Sequence, residues 1–272
     1  PMGLILLQPD TGSAIVFLGF MLVFYREGLP GYFIFLGLGA MVVSVLALAF
    51  SSETVLILIA LSILLALGLD RLQRRLKWRI VLRHPALWYG LLAMGWALTV
   101  NQVFNTVLQP HQKVRVQLLL GQIDQPNAAG YQTAQSLIAI GSGGFMGKGY
   151  MQGTQTKLNF VPAQTTDYIF CTVGEEWGFL GSFVVLLAFA GLIGRILYLA
   201  ERQKEAFSRI YGFGIASILL IHFLVNIGMT LGLVPVIGIP LPFFSYGGSS
   251  LWAFTLMLFI FLRLDSQRWN TL

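Results

Sequence analysis

The chain reads as an all-α polytopic membrane protein: a multi-helix transmembrane bundle with a large extracytoplasmic loop and one broken, re-entrant segment. Three observations lead there. Of 272 residues, 56% are apolar and 10% charged, and the mean hydropathy is +0.77, more hydrocarbon than a soluble core of this length can bury. The apolar residues fall in runs close to the roughly 20 residues that a membrane-spanning helix needs. The pattern then fails at residues 235–250, where Pro235, Pro240, Pro242 and the pair Gly247-Gly248 preclude a regular helix.

Taken in order, runs at 11–25, 32–50, 54–70, 86–101, 168–199, 210–232 and 249–263 read as seven spans. The opening Pro1-Met2-Gly3-Leu4-Ile5-Leu6-Leu7 carries no charged leader and looks like the last turns of a helix begun upstream, so the chain reads as N-terminally truncated. Gln8-Pro9-Asp10 can end one helix and cap the next, residues 28–31 form a turn, and Ser51-Ser52-Glu53 makes a tight polar hairpin. No repeat or low-complexity linker divides residues 1–272, which read as one transmembrane domain.

Charge sets the orientation. If the basic loop at 70–79 is cytoplasmic, strict alternation puts Arg26, the 195–209 stretch and the 263–268 tail on the same side. Of 17 Lys and Arg, all but Lys113, Arg115, Lys148 and Lys157 are then inside. Those four share the segment 102–166, which is forced outward against the positive-inside tendency, and they call for an anionic partner. Within it, Tyr131 to Ile140 has the helical apolar spacing of a segment lying on the membrane surface. The broken segment 235–249 falls on the same outer side. Non-helical backbone at membrane depth must be buried in protein or line a wet cavity, so this segment is expected to wall the cavity that the long loop covers.

Composition also excludes classes. The net charge of +6 and pI near 9.6 would suggest nucleic acid in a soluble chain, but here the basic residues sit in short loops between spans, so no nucleic-acid partner is expected. One cysteine, Cys171, allows no internal disulfide, and three scattered histidines give no spacing of a zinc or haem site. No structural metal is expected.

Asp167 is the candidate catalytic residue. It follows Thr165-Thr166 at the start of an apolar run, where basic loop, broken helix and membrane surface converge, and partial burial there would raise a carboxyl pKa toward that of a general base. The competing reading is an N-cap or first-turn acid favoured by the helix dipole. The glycine-rich stretch 141–149 departs from the phosphate-loop pattern, since Gly149 stands where Ser or Thr must follow the lysine. It is either a loop whose N–H groups and Lys148 approach a diphosphate, or a plain turn. Lys113 and Arg115, with nothing acidic nearby, are the better anion candidates. One of Glu175 and Glu176, deeper in the apolar run, is expected to pair with a basic group from a neighbouring helix. Gly174, Gly178 and Gly181 suggest close helix packing, and His222 and Asn226, at i and i+4, suggest hydrogen bonds between helices rather than chemistry.

Six ordered motifs together resemble the SEDS family, the membrane glycosyltransferases of bacterial cell-wall synthesis that include RodA and FtsW. They are Gln8-Pro9-Asp10-Thr11-Gly12; Gln109-Pro110-His111-Gln112-Lys113-Val114-Arg115; Gly130-Tyr131-Gln132 with Gln135-Ser136 and Ile138-Ala139-Ile140-Gly141-Ser142-Gly143-Gly144; Phe160-Val161-Pro162-Ala163-Gln164-Thr165-Thr166-Asp167-Tyr168-Ile169-Phe170; Gly174-Glu175-Glu176-Trp177-Gly178; and Pro242-Phe243-Phe244-Ser245-Tyr246-Gly247-Gly248-Ser249-Ser250. Gly153-Thr154-Gln155 followed by Leu158-Asn159-Phe160 looks like the RodA branch, which works in elongation, more than the FtsW division branch. Three departures stand out: His111 replaces a usual tyrosine, Thr165-Thr166 replaces a His-Thr pair, and the spans 32–50 and 54–70 are an added hairpin.

The resemblance implies a lipid II polymerase in the bacterial cytoplasmic membrane, multi-pass, with its site on the extracytoplasmic side and Asp167 as general base. It implies Arg115 in the region that binds the lipid-linked pyrophosphate; with the other outward cations, Lys113, Lys148 and Lys157, it makes up the expected contacts of the substrate diphosphate, and Gln109, Gln164, Thr166, Ser245, Tyr246 and Ser249 are expected as cavity wall. No cofactor is required, though a divalent cation accompanying the diphosphate is compatible with it. The implied partners are lipid II, membrane lipids, a class B penicillin-binding protein and the elongation machinery. Two rival readings are a flippase for the lipid-linked precursor, since carriers also use broken helices, and a scaffold for the penicillin-binding protein. The gathering of polar and proline-rich segments on the outer side alone favours the enzyme over the carrier.

Overall fold

The computed structural model of the chain describes residues 2–8, 11–74, 85–122, 128–158 and 160–267. The Pro9-Asp10 turn, the basic stretch after Arg74, Asn159 and the tail from Arg268 lie outside the described residues. Among the described residues there are twelve helices and no strand: α1 (Met2–Leu7), α2 (Thr11–Leu18), α3 (Phe20–Arg26), α4 (Tyr32–Ala49), α5 (Ser52–Arg74), α6 (Pro85–Thr106), α7 (Pro110–Leu119), α8 (Ala128–Ser142), α9 (Thr154–Lys157), α10 (Ile169–Glu201), α11 (Ala206–Thr230) and α12 (Gly248–Gln267). Five segments are long and apolar enough to cross a membrane: Tyr32–Ala49, Ser52–Leu69, Ile169–Glu201, Ala206–Thr230 and Gly248–Gln267. Gly12–Arg26 is apolar but shorter. The expected span 86–101 lies within α6, which is not among the five, because its tryptophans, Tyr89, Thr99 and Asn101 dilute its hydropathy.

The helices form two compact units, Pro30–Asp124 and, in the other, Pro1–Leu29 together with Gln125–Leu272. In the first, α4, α5 and α6 pack around Ala47, Val55 and Ala97. The small side chains bring the helices close, and polar anchors fix their register: Trp96 Nε1 donates to Ser44 Oγ at 2.9 Å and Asn101 Nδ2 to Ser52 Oγ at 2.6 Å. Phe35, Met41, Leu61 and Leu64 stay exposed, as apolar residues facing lipid do. Helix α7 begins at a capping box, Gln109 with Gln112, with Pro110 in the first turn where its missing N–H is harmless.

The other unit is built on α10 and α11. Ile193, Ile196 and Leu199 of α10 meet Phe213, Ala216 and Leu219 of α11, with Phe254 and Phe261 of α12 closing the core. One end of this unit is ionic: Arg209 grips Glu27 through two bonds of 2.9 Å, Arg202 meets Asp265 at 2.7 Å, and Arg26 pairs with Glu201. These pairs tie together three segments that charge alternation assigns to one side, around Arg26, around 195–209 and around 263–268.

At the other end α10 is not continuous. Its 33 residues would run about 50 Å as a straight helix, beyond the ~30 Å of a bilayer core, and the helix breaks at Gly178, with φ 63° and ψ −155°. Gly178 was expected only to ease helix packing; it is instead a backbone break that no side chain would tolerate. Helix α8 also departs from a simple surface helix. Ser136 and Ala139 are fully buried, Ser136 Oγ donates to the Thr230 carbonyl at 3.0 Å, and Ile140 packs where a side chain on Gly174 would stand, while Leu137 and Ile138 remain exposed. One stripe of α8 is protein core, because its small residues let it close on α10 and α11.

Candidate active site

Asp167 lies in a tight turn just before α10. Ala163 adopts φ 54°, rare for a residue with a side chain, and its carbonyl accepts the N–H groups of Thr166, Asp167 and Tyr168 at 3.0 to 3.2 Å. Tyr168, 1% exposed, packs with Ala139, Val161 and Cys171 and occupies the N-cap position of α10. Asp167 therefore lies one residue before the N-cap position of α10.

The broken segment closes on this turn through the backbone. The Tyr246 N–H donates to the Thr165 carbonyl at 2.8 Å, and Ser245 Oγ donates to the Thr166 carbonyl at 2.5 Å while accepting the Leu241 N–H at 2.8 Å. The fully buried Asn226 of α11 donates from one amide nitrogen to the Asp167 carbonyl at 2.9 Å and to the Ile239 carbonyl at 2.7 Å. Gly238, with φ 78°, passes the carboxylate so closely that a Cβ there would stand 3.4 Å from Asp167 Oδ2. Gly238, Ile239 and Pro240 also line a cavity of about 250 Å³ with Gly12, Ser13, Val16, Phe17 and His222, and His222 Nδ1 lies 3.1 Å from the Pro240 carbonyl. Phe243 in this segment has φ 63°. Two of the non-glycine residues with positive φ, Ala163 and Phe243, thus sit in the two segments that frame Asp167, where local strain is held in place by surrounding bonds.

A second polar centre lies alongside. Glu175, with no exposed surface, receives Lys148 Nζ at 2.8 Å, Thr154 Oγ1 at 3.2 Å and the backbone N–H groups of Gln155 and Thr156, each at 2.9 Å. Carboxylate and ammonium are paired and the remaining lone pairs are satisfied, the condition under which a buried charge is tolerated.

The glycine-rich stretch explains the break in α10. Lys148 and Gly149 donate their N–H groups to the carbonyls of Glu175 and Glu176 at 3.1 and 2.9 Å, and Phe179 and Leu180 donate to the carbonyls of Gly144 and Phe145 at 2.9 and 3.2 Å. The loop is a splint across the interrupted helix, satisfying the backbone groups that the break at Gly178 would otherwise orphan. It lies so close that a Cβ on Gly147 would stand 2.2 Å from the Glu176 carbonyl oxygen.

These contacts sort the expected site residues. Asp167, Thr166, Ser245 and Tyr246 come together, Tyr246 with 81% of its surface exposed. Ser249 is exposed in the first turn of α12. Gln164 serves the scaffold, donating from Nε2 to the Thr156 carbonyl at 2.8 Å. Gln109 caps α7. Lys148 donates its ammonium to the buried Glu175 carboxylate and to Thr154 Oγ1 at 2.9 Å, and the N–H groups of Lys148 and Gly149 go to α10. Lys157 is exposed at the end of α9. Lys113 and Arg115 stand on α7 in the Pro30–Asp124 unit, where Lys113 Nζ donates to the Asn105 carbonyl at 2.7 Å. Among the described residues no group of three or more His, Cys, Asp or Glu could hold a metal ion. Asn226 was legible only as an inter-helix hydrogen bonder; its hold on both Asp167 and the broken segment has no local signal, because 59 residues separate it from Asp167.

Residues 50–270 match the family model for FtsW, RodA and SpoVE, described as "Cell cycle protein". The chain belongs to this family. Among its relatives, the peptidoglycan glycosyltransferase RodA of Treponema pallidum (strain Nichols) is 31% identical over 98% of the chain and 66% of that protein. The peptidoglycan glycosyltransferase MrdB of Escherichia coli (strain K12) is 40% identical over 65% of the chain and 45% of that protein. The chain therefore spans between about half and two thirds of the length of these FtsW/RodA/SpoVE relatives. A solved chain from a peptidoglycan synthase complex, described for its coordination of polymerization and crosslinking, superposes with a TM-score of 0.51 at 25% identity, covering 96% of this chain and 91% of that one.

Proposed function

We propose that the protein is a peptidoglycan glycosyltransferase that polymerises lipid II into glycan strands for cell-wall elongation. The observation that carries this reading is the placement of Asp167. Its carboxylate lies against Gly238, in a turn whose backbone carbonyls at 165, 166 and 167 are each bonded to the broken segment or to α11. An ionisable group at a membrane boundary marks function by default, and the family's members that resemble this chain are named for this activity.

The chemistry follows from a fixed base beside a lipid-linked donor. The acceptor sugar's hydroxyl oxygen attacks the donor's anomeric carbon, and the bond from that carbon to the diphosphate oxygen breaks. The hydroxyl proton passes to an Asp167 oxygen, and the polyprenyl diphosphate leaves with the bonding pair. Negative charge grows on that leaving group, and cations there act in the transition state. Lys157 is assigned this role, and Thr166, Ser245, Tyr246 and Ser249 are assigned to the wall. Lys148 already donates to Glu175 and to Thr154 Oγ1, which leaves one ammonium N–H for such a contact. A divalent ion would arrive with the diphosphate. The positive-inside argument puts the site on the outer face of the cytoplasmic membrane, and a class B penicillin-binding protein is the proposed partner.

The test is glycan-strand formation from purified lipid II by the full-length protein with that partner, its transpeptidase blocked. Asp167→Asn, folded to the wild-type level, is expected to lose about 10²-fold or more in rate, the contribution of a general base. Equal rates would remove Asp167 from the chemistry, and an inactive wild type would return the flippase and scaffold readings.

A further inference from the structure

We infer that Gln164, held through the Lys148–Glu175 pair, is a positioning residue for Asp167. This rests on the reading of Asp167 as the base. Each residue from 164 to 167 is tied to another part of the chain: Thr165 and Thr166 to Tyr246 and Ser245 of the broken segment, Asp167 to Asn226 of α11, and Gln164, through its side chain, to the Thr156 carbonyl of α9. The first three ties face the broken segment and α11. The fourth reaches a separate element, α9, a helix of four residues too short to hold a position by itself.

What holds α9 is Glu175. Its carboxylate accepts the N–H groups of Gln155 and Thr156 and the Thr154 hydroxyl, and Lys148 supplies the counter-charge. Thr156 is thus bonded on both sides: its N–H to Glu175, its carbonyl to Gln164. The path from the α10 backbone to the Asp167 turn runs Glu175, Thr156, Gln164, and from there one residue back to Ala163, whose carbonyl gathers the N–H groups of 166, 167 and 168. Removing the strap frees one side of that turn. The Asp167 oxygens then wander relative to the reacting hydroxyl, and a displacement near 1 Å is enough for a rate loss of about 10²-fold with substrate binding unaltered. Apolar packing of α9 alone would not produce that split.

The experiment compares Gln164→Met, which keeps length and loses the donor, with the neutralised pair Lys148→Met/Glu175→Gln, and with the triple variant, all in the full-length protein with its partner. Hydrogen–deuterium exchange of the peptide covering 160–168 reads the strap independently of activity. Expected are faster exchange there in Gln164→Met, kcat down about 10- to 100-fold with KM for lipid II within about twofold, and a triple variant no slower than the slower of its parents, because both cut one path. Unchanged exchange, an unchanged kcat per folded molecule, or losses that multiply in the triple variant would each overturn the strap. A wild type that exchanges as expected but forms no glycan would instead overturn the proposed function, and this role with it.

Discussion

Asp167 owes its position to backbone geometry on both sides, which makes its glycine neighbour as informative as the acid itself. Gly238→Ala would force a side chain into φ 78° and set a methyl 3.4 Å from Oδ2. The strain is about 1 kcal/mol, and the methyl would rest in van der Waals contact with the carboxylate on the side facing the broken segment. We expect a drop of a few degrees in Tm and at least a tenfold fall in polymerisation rate, read by thermal melting and by the lipid II assay. Lys148 and Glu175 make a different prediction. Lys148→Met strands a buried carboxylate and should destabilise by about 3–5 kcal/mol, whereas the double change with Glu175→Gln removes both charges and should recover most of that loss, measured by melting in the same detergent. A Lys148 that serves only substrate would leave Tm unmoved. Asp167 stood out in the sequence because basic loop, broken segment and apolar run converge on it, beside a helix-cap reading that its position alone also allowed. Glu175 was legible only as an acid in search of a base, since its partner lies 27 residues earlier and nothing local announces it.

At the level of elements, the glycine-rich loop and α10 form one unit. A helix that long needs a break to fit the bilayer, a break orphans backbone groups, and the loop at 144–149 supplies partners for them. Gly178→Ala places a Cβ 2.3 Å from the Gly147 nitrogen at φ 63°. The loop must shift or the helix must straighten, so the variant is expected to lose several kcal/mol of stability, in the range of strained backbone plus overpacking. Its melting curve checks this, with Gly191→Ala as control, since that position has open space around it. Sequence gave the glycine spacing but left two readings, anion loop or turn. The deciding fact is which acceptors the loop's N–H groups meet, and those acceptors belong to another segment.

For the whole molecule, charge and hydropathy explain more than any motif. The ionic end of the α10–α11 unit carries Glu27, Arg26, Glu201, Arg202, Arg209 and Asp265. The Arg209 guanidinium, bonded to Glu27, holds that carboxyl below its ordinary value of 4.5. A lowered folded-state value means that the pair stabilises the protein fully above about pH 4.5 and that this contribution fades as pH falls through the lowered value. Melting between pH 7 and pH 3 should show a shallower acid-side decline for Glu27→Gln than for wild type; equal slopes would mean that the pair is too well solvated to matter. Which segments share this end followed from counting charges between apolar runs, because membrane insertion sorts Lys and Arg by side irrespective of tertiary detail. The sequence by itself therefore determined the helical membrane class, the break at 235–249 and Asp167 as the acid to test, all of which follow from local composition. Only the tertiary structure decided that Lys148 belongs to Glu175, that the glycine-rich loop splints α10, and that Asn226 and Gln164 hold the turn of Asp167. Each of these is a bond between groups far apart in the chain, and its partner is chosen by how the helices pack, which no local pattern encodes.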